Sequence, residues 1–295
     1  MATIQFKGVI PPMVTPFTTE GAVDYAAHAR NMERWNKTGL SGYLVLGSNS
    51  EASSLNEVEK LRLIELTAQY AHADQVILAG TGMESTVETI RLTNLAAQAG
   101  AQAALVLTPF YYRDALTETA QIRHFQKVAD QSDIPVLLYN VPKYTNVNLS
   151  NKAIEVLSRH PNIIGMKDSS GNITQLAEFQ RVADSDFQIL TGTAGIWYPA
   201  LLLGVKAGIM ALANCAPEVL VQIQEYVENG KGPEAEALFR KWVPVNNAVT
   251  GTYGVAGLKY VCQQMGYEAG EVRSPLLPIE APAKSALDNL LAARV

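Results

Sequence analysis

Eight short apolar or β-branched runs alternate with longer amphipathic stretches along most of this 295-residue chain. The intervening stretches, such as residues 57–72 and 117–131, have the length of helices that cross over between parallel strands, not of hairpin turns. Eight such units without a long interruption favour a closed (β/α)8 TIM barrel over an open doubly wound sheet. The predicted strands are residues 8–14, 42–46, 76–79, 103–107, 135–139, 163–167, 187–190 and 207–211.

The chain continues well beyond the last predicted strand. Residues 217–295 are mostly helical in pattern, with breaks predicted at 229–233, 251–257 and 274–278. Only a small part of this length is needed to complete a barrel. We therefore predict a barrel over residues 1–225 and a C-terminal helical domain over residues 226–295 that packs on it.

Charge and composition exclude several classes of function. The 23 Lys and Arg against 28 Asp and Glu give a net charge of −5, the wrong sign for binding nucleic acid by bulk electrostatics. The most apolar stretch, residues 199–213, is interrupted by Lys206 and is too short for a membrane helix. The first residues lack the pattern of a signal peptide, so we expect a cytoplasmic protein. The two cysteines and four histidines are scattered, and we predict no metal site.

In a TIM barrel the reactive groups lie at the carboxyl ends of the strands. The predicted strand ends here are rich in hydroxyls and small residues and lack clustered carboxylates or histidines. Lys167 differs from the residues before it, because this ionisable side chain ends the apolar run 163–167. Burial disfavours an ammonium ion, so a neutral amine at this position would attack a ketone and form a Schiff base. The alternatives are a lysine that extends to solvent or one that pairs with Asp168.

Two neighbouring strand ends offer partners for this lysine. Tyr139 ends the adjacent fifth strand, where its phenol would move protons with Ser48 as a relay. The alternative is an aromatic side chain that only fills a barrel layer. Ser48 and Asn49, with their backbone N–H groups, would hold a carboxylate at the end of the second strand. The alternative for this pair is a helix N-cap, and the two roles are compatible.

Several motifs together link the chain to a known family. They are Gly8-Val-Ile-Pro-Pro-Met-Val-Thr-Pro-Phe17, Gly47-Ser-Asn-Ser-Glu51, Ala79-Gly-Thr-Gly82, Tyr139-Asn-Val-Pro142, Ile164-Gly-Met-Lys-Asp168 and Ala213-Asn214. Over essentially its full length the chain resembles the pyruvate-dependent class I aldolases grouped with dihydrodipicolinate synthase and N-acetylneuraminate lyase. The resemblance implies a barrel with a C-terminal helical domain, no cofactor beyond the covalent imine on a lysine, and commonly a homotetramer.

The resemblance also assigns roles to individual residues. Lys167 matches the Schiff-base lysine and Tyr139 the proton relay of the family. Tyr111 matches the tyrosine that reaches into a neighbouring subunit's site. Ser48, Asn49, Tyr144, Gly192 and Ala211 are the expected substrate-binding positions.

Two differences from the synthase members of the family indicate the subfamily. Synthase members usually carry Thr-Thr in the second-strand motif and an arginine two residues after the Tyr-Asn-x-Pro proline, whereas this chain has Ser48-Asn49 and Tyr144. A phenol does not offer the bidentate cationic fork that a substrate carboxylate needs. The pattern is more similar to 4-hydroxy-2-oxoglutarate aldolases and 2-keto-3-deoxy sugar acid aldolases, except at Ser50, where those families generally have glycine.

We therefore predict a lyase that cleaves a 4-hydroxy-2-oxo acid to pyruvate and an aldehyde. The partners would be a small 2-oxo acid and an aldehyde, with neither nucleic acid nor membrane. Two alternatives stay open. One is a dihydrodipicolinate synthase that condenses pyruvate with aspartate semialdehyde, and the other is a barrel that senses an oxo acid without turnover.

Overall fold

Eight parallel strands form the core of the molecule. The computed structural model describes residues 4–293. Its strands are β1 (Gly8–Ile10), β2 (Gly42–Val45), β3 (Val76–Gly80), β4 (Ala103–Leu107), β5 (Val136–Asn140), β6 (Ile163–Asp168), β7 (Gln188–Thr191) and β8 (Ala207–Ile209). They are ordered β1-β8-β7-β6-β5-β4-β3-β2. The chain after β1 meets β2 through the bonds from Met13 N to Leu44 O (2.9 Å) and from Leu44 N to Pro11 O (3.0 Å). This closure confirms the predicted (β/α)8 barrel.

Helices surround the strands and continue past them. They are α1 (Tyr25–Trp35), α2 (Glu57–Tyr70), α3 (Thr86–Gln98), α4 (Glu118–Asp130), α5 (Pro142–Thr145), α6 (Asn151–Leu157), α7 (Ile173–Val182), α8 (Trp197–Leu202), α9 (Pro217–Glu228), α10 (Gly232–Asn247), α11 (Gly254–Gln264) and α12 (Ala281–Ala292). Within residues 4–293, none of these helices combines the length and apolar character needed to span a bilayer. The same part of the chain holds no group of three His, Cys, Asp or Glu suited to a metal ion.

The strands are buried on both faces, which explains their continuous apolar runs. One apolar cluster joins alternate residues from seven strands, and it includes Leu44, Leu78, Leu105 and Leu137. Side chains from so many strands contact one another only inside the barrel, so this cluster fills the lumen. A larger cluster lies between the outer strand faces and the helices, and Trp35 and Trp197 are fully buried within it.

The C-terminal segment is interrupted where the sequence predicts. Within the predicted break at residues 251–257, a π-helical turn (Ala248–Thr252) ends, the chain bends at Tyr253, and Gly254 begins α11 with a φ of +55°. This left-handed glycine separates the two helical segments. Further along, Gly270 packs so tightly on the loop after β1 that a Cβ atom there would lie 2.2 Å from the carbonyl oxygen of Phe17. The predicted boundary at residue 225 falls inside α9.

Asn214 holds the end of β8 against β1, and its removal should destabilise the barrel. Its Oδ1 accepts from Val14 N (2.9 Å), and its Nδ2 donates to Pro12 O and Ala211 O (both 3.0 Å). Asn214→Ala should lower the free energy of unfolding by about 2–4 kcal/mol, because buried backbone groups lose their partners. Denaturant unfolding measures the change.

The matched control is Asn229→Ala, an exposed asparagine whose amide donates only to Glu225 O. Its effect should stay within about 0.5 kcal/mol. Equal effects of the two substitutions would contradict the role given to Asn214.

Candidate active site

Lys167 lies at the carboxyl end of β6, opposite Tyr139 of β5 and Leu190 of β7 in the strand register. The whole residue is 3% exposed. Its Nζ is 4.4 Å from the centroid of the Tyr139 ring. Since Tyr139 and Leu190 belong to the cluster that fills the lumen, the amine of Lys167 is inside the barrel mouth and does not extend to solvent.

Asp168 does not neutralise this amine. Its buried carboxylate accepts hydrogen bonds from Asn140 Nδ2 (2.8 Å), Ser170 Oγ (2.5 Å) and Gln175 Nε2 (3.3 Å). Successive residues of a strand point to opposite faces, so the Asp168 side chain is directed away from the lumen that holds Lys167. Burial raises the pKa of Asp168 above its usual value, and the hydrogen bonds oppose that rise only in part. The two alternatives to a buried, unpaired Lys167 are therefore not found.

Tyr139 is the centre of the polar group at the mouth. Burial raises the pKa of its phenol, but the charge of Lys167 and hydrogen bonds from neighbouring hydroxyls outweigh that effect and lower the pKa below its usual value. The hydroxyls of Tyr139 and Ser48 are 3.5 Å apart. A phenol whose anion is stabilised in this way gives up and regains a proton more easily than free tyrosine does.

Sequence reasoning missed Ser169, whose hydroxyl also lowers the pKa of the Tyr139 phenol. It stands two residues after Lys167, and residues two apart on a strand face the same side. This two-residue spacing in the sequence could have identified Ser169 as a residue of the site. Ser169 also explains the glycine in the next strand end, because a Cβ atom on Gly192 would lie 1.8 Å from Ser169 Oγ.

The segment after β2 presents Ser48 and Asn49 in a single 3-10 turn (Ser48–Ser50). Ser48 is exposed and Asn49 half-buried. Neither residue caps α2, whose N-cap is Asn56, so the helix-cap alternative is not found. Ser50, which stands where the 4-hydroxy-2-oxoglutarate and sugar acid aldolases generally have glycine, is buried. Its hydroxyl donates to Met13 O (2.5 Å) and accepts from Gly47 N (3.1 Å). The Ser50 side chain therefore stabilises the turn.

The remaining predicted residues lie on the segments that follow β4, β5 and β8. Tyr144, on α5, is half exposed and lines a cavity of about 470 Å³. Tyr111 lines the same cavity, is 75% exposed, and is held by its backbone N–H, which donates to Glu84 Oε2 (2.9 Å). Ala211 is buried and begins the turn after β8. One chain thus brings together Lys167, Tyr139 and the serines, whereas Tyr111 points outward.

A buried, unpaired lysine beside a tyrosine at the mouth of a (β/α)8 barrel is typical of class I aldolases. The model of the Dihydrodipicolinate synthetase family matches residues 5–294. The chain therefore belongs to this family and is a pyruvate-dependent class I aldolase.

Individual relatives agree with this membership. The 4-hydroxy-tetrahydrodipicolinate synthase of Methanothrix thermoacetophila is 35% identical over 97% of this chain and 96% of its own length. Among solved structures, a dihydrodipicolinate synthase from Acinetobacter baumannii complexed with pyruvate has a TM-score of 0.93 and 29% identity, covering 98% of this chain and 99% of its own. YagE, a prophage protein of the same family from E. coli K12 in complex with pyruvate, has a TM-score of 0.92 and 29% identity, covering 99% of both chains.

The lowered pKa of Tyr139 leads to a direct test. Ultraviolet difference titration of the wild type against Tyr139→Phe should show one tyrosine ionising below the usual value of about 10. In Lys167→Met the Tyr139 pKa should rise above that value, because the cation is lost while burial remains. A Tyr139 that ionises in the wild type at or above the usual value would contradict this account of the site.

Proposed function

We propose that Lys167 is the residue that binds pyruvate covalently and that no cofactor takes part. The observation that carries the proposal is the buried amine beside the Tyr139 phenol, with the neighbouring Asp168 carboxylate bound to Asn140 and Ser170 instead. Once it has lost a proton, the amine adds to the C2 ketone of pyruvate, and loss of water from the carbinolamine gives an imine. The protonated imine then acts as the electron sink for chemistry at C3.

Tyr139 is proposed to move the protons of this sequence. Loss of a C3 proton from the iminium gives an enamine, whose C3 attacks an aldehyde while the phenol protonates the new alkoxide. The hydroxyl of Ser48, 3.5 Å from that of Tyr139, and the buried hydroxyl of Ser169 would relay protons to and from Tyr139. Ser48 and Asn49, at the turn after β2, would bind the carboxylate of pyruvate.

The names of the relatives favour a synthase as the first candidate. The 4-hydroxy-tetrahydrodipicolinate synthases of Methanothrix thermoacetophila and Methanosphaerula palustris, 35% and 34% identical, each match 97% of this chain. In that reaction the enamine of pyruvate condenses with aspartate semialdehyde. The comparisons thus support the alternative reaction better than the cleavage preferred from the sequence.

Cleavage of a 4-hydroxy-2-oxo acid is the second candidate, and Tyr144 is the observation that favours it. The half-exposed phenol of Tyr144 stands in the wall of the cavity at the position where synthases usually carry an arginine. Cleavage is the same chemistry in reverse, with Tyr139 accepting the proton of the C4 hydroxyl as the C3–C4 bond breaks. Gly192 and Ala211 would help to shape the space for the aldehyde half. Family membership favours either enzyme over a sensor that binds without turnover.

A neighbouring subunit is proposed to complete the site. Tyr111 and Tyr112 are about three quarters exposed and contact each other edge to face, with ring centroids 5.1 Å apart. Exposed aromatic side chains of this kind are typical of protein interfaces. We propose that Tyr111 enters the site of a second copy in a homotetramer, although the structural relatives include a monomeric dihydrodipicolinate synthase variant.

Covalent trapping tests the role of Lys167. Incubation with pyruvate and borohydride should add one reduced pyruvyl group to the protein, because reduction fixes the imine as a secondary amine. Peptide mapping by mass spectrometry should place this group on Lys167. Lys206, an exposed lysine at the amino end of β8, is the internal control and should stay unmodified. Labelling elsewhere, or none, would refute the proposal.

Parallel assays separate the two candidate reactions. The first measures consumption of aspartate semialdehyde with pyruvate, and the second measures pyruvate release from 4-hydroxy-2-oxoglutarate. A synthase should prefer the first reaction by kcat/KM. Tyr144→Arg should raise kcat/KM for aspartate semialdehyde by about ten-fold or more, because a guanidinium offers a bidentate partner to the substrate carboxylate. A wild type that turns over only 4-hydroxy-2-oxoglutarate would exclude the synthase.

A further inference from the structure

Glu51 ends the turn that carries Ser48 and Asn49, and its backbone adopts an unfavourable conformation. Its φ is +54°, in the left-handed region, where a residue with a side chain is strained. Such a residue persists only where the surrounding structure holds it in place. The contacts of the Glu51 side chain therefore bear on the geometry of the whole turn.

Both carboxylate oxygens of Glu51 are held by the C-terminal segment. Lys259 Nζ, from α11, is 2.6 Å from Oε1, and the side chains of this ion pair are each 1% exposed. The backbone N–H of Arg273 donates to Oε2 (2.8 Å). Lys259 is itself fixed, since its Nζ also donates to Glu271 O (2.8 Å) and lies 4.2 Å from the centroid of the Phe17 ring.

The opposite side of the turn is held by the chain after β1. Thr15 Oγ1 donates to Ser50 O (2.8 Å), in addition to the bond from Ser50 Oγ to Met13 O. The turn is thus fixed to the chain after β1 through Ser50 and to the C-terminal segment through Glu51, directly after Ser48 and Asn49. A buried ion pair contributes little net stability in many proteins, because desolvation of the charges offsets their attraction. Its placement here suits a role in geometry better than one in stability.

We propose that Glu51 and Lys259 are positioning residues, whose ion pair sets the turn so that Ser48 and Asn49 meet the carboxylate of the 2-oxo acid. This proposal rests on the proposed function of Lys167. Neither residue of the pair touches the reacting atoms. Loss of the pair should weaken pyruvate binding while leaving the amine of Lys167 able to form the imine.

The test measures borohydride trapping of Lys167 at increasing pyruvate concentrations. In Glu51→Gln and Lys259→Met, the half-saturating pyruvate concentration should rise about ten-fold, the effect of weakening one hydrogen bond to a charged group. At saturating pyruvate, trapping should still be complete. Glu236→Gln, which removes an exposed ion pair with Arg240 on α10, is the matched control and should leave the half-saturation unchanged.

The double variant Glu51→Gln/Lys259→Met keeps the test decisive if a single variant does not fold, since it leaves no unpaired buried charge. It should show the same ten-fold rise as each single variant, because the two residues act as one unit. Thermal unfolding of every variant is measured alongside.

The outcomes are distinct. A lowered melting temperature with wild-type half-saturation in the folded double variant would overturn the positioning role and leave a structural one. A wild type whose Lys167 takes no label at any pyruvate concentration would overturn the proposed function and this inference with it. A shifted half-saturation with complete labelling at saturation supports both.

Discussion

Burying a lysine amine without a carboxylate beside it is costly, and the fold of this chain is arranged around that constraint. The alternation of side chains along β6 directs Lys167 into the lumen and Asp168 to the outside, where Asn140, Ser170 and Gln175 satisfy the carboxylate. The amine instead lies 4.4 Å from the centroid of an aromatic ring, that of Tyr139. A buried amine and a phenol with a lowered pKa are thereby held together in an apolar barrel.

The mouth of the barrel is held rigid by contacts between distant parts of the chain. Asn214 links the end of β8 to the chain after β1, and Ser50 links the turn after β2 to the same segment. The C-terminal segment adds an ion pair from Lys259 and a backbone hydrogen bond from Arg273, both to the carboxylate of Glu51. A site built from strand ends needs such links, because each strand delivers only one or two of its groups.

Local pattern in the sequence predicted the barrel well, because strands buried on both faces leave continuous apolar runs. Lys167 and Tyr139 were predictable for the same reason, since a polar residue that ends an apolar run lies at the mouth. The pairing of Glu51 with Lys259 was not, because residues far apart in sequence meet only in the fold. The break between the π-helical turn Ala248–Thr252 and α11 was also predictable, because Gly254 takes the left-handed φ that glycine allows.

In the proposed reaction, the cavity wall that includes Tyr144 selects the aldehyde, whereas pyruvate reacts at Lys167 in the lumen. The covalent reaction of Lys167 with pyruvate is tested most directly by a crystal structure of the protein soaked with pyruvate. We expect continuous density from Lys167 Nζ to C2 of the ligand, with the carboxylate against the Ser48–Asn49 turn. Pyruvate bound without a covalent link, or bound away from β6, would contradict it.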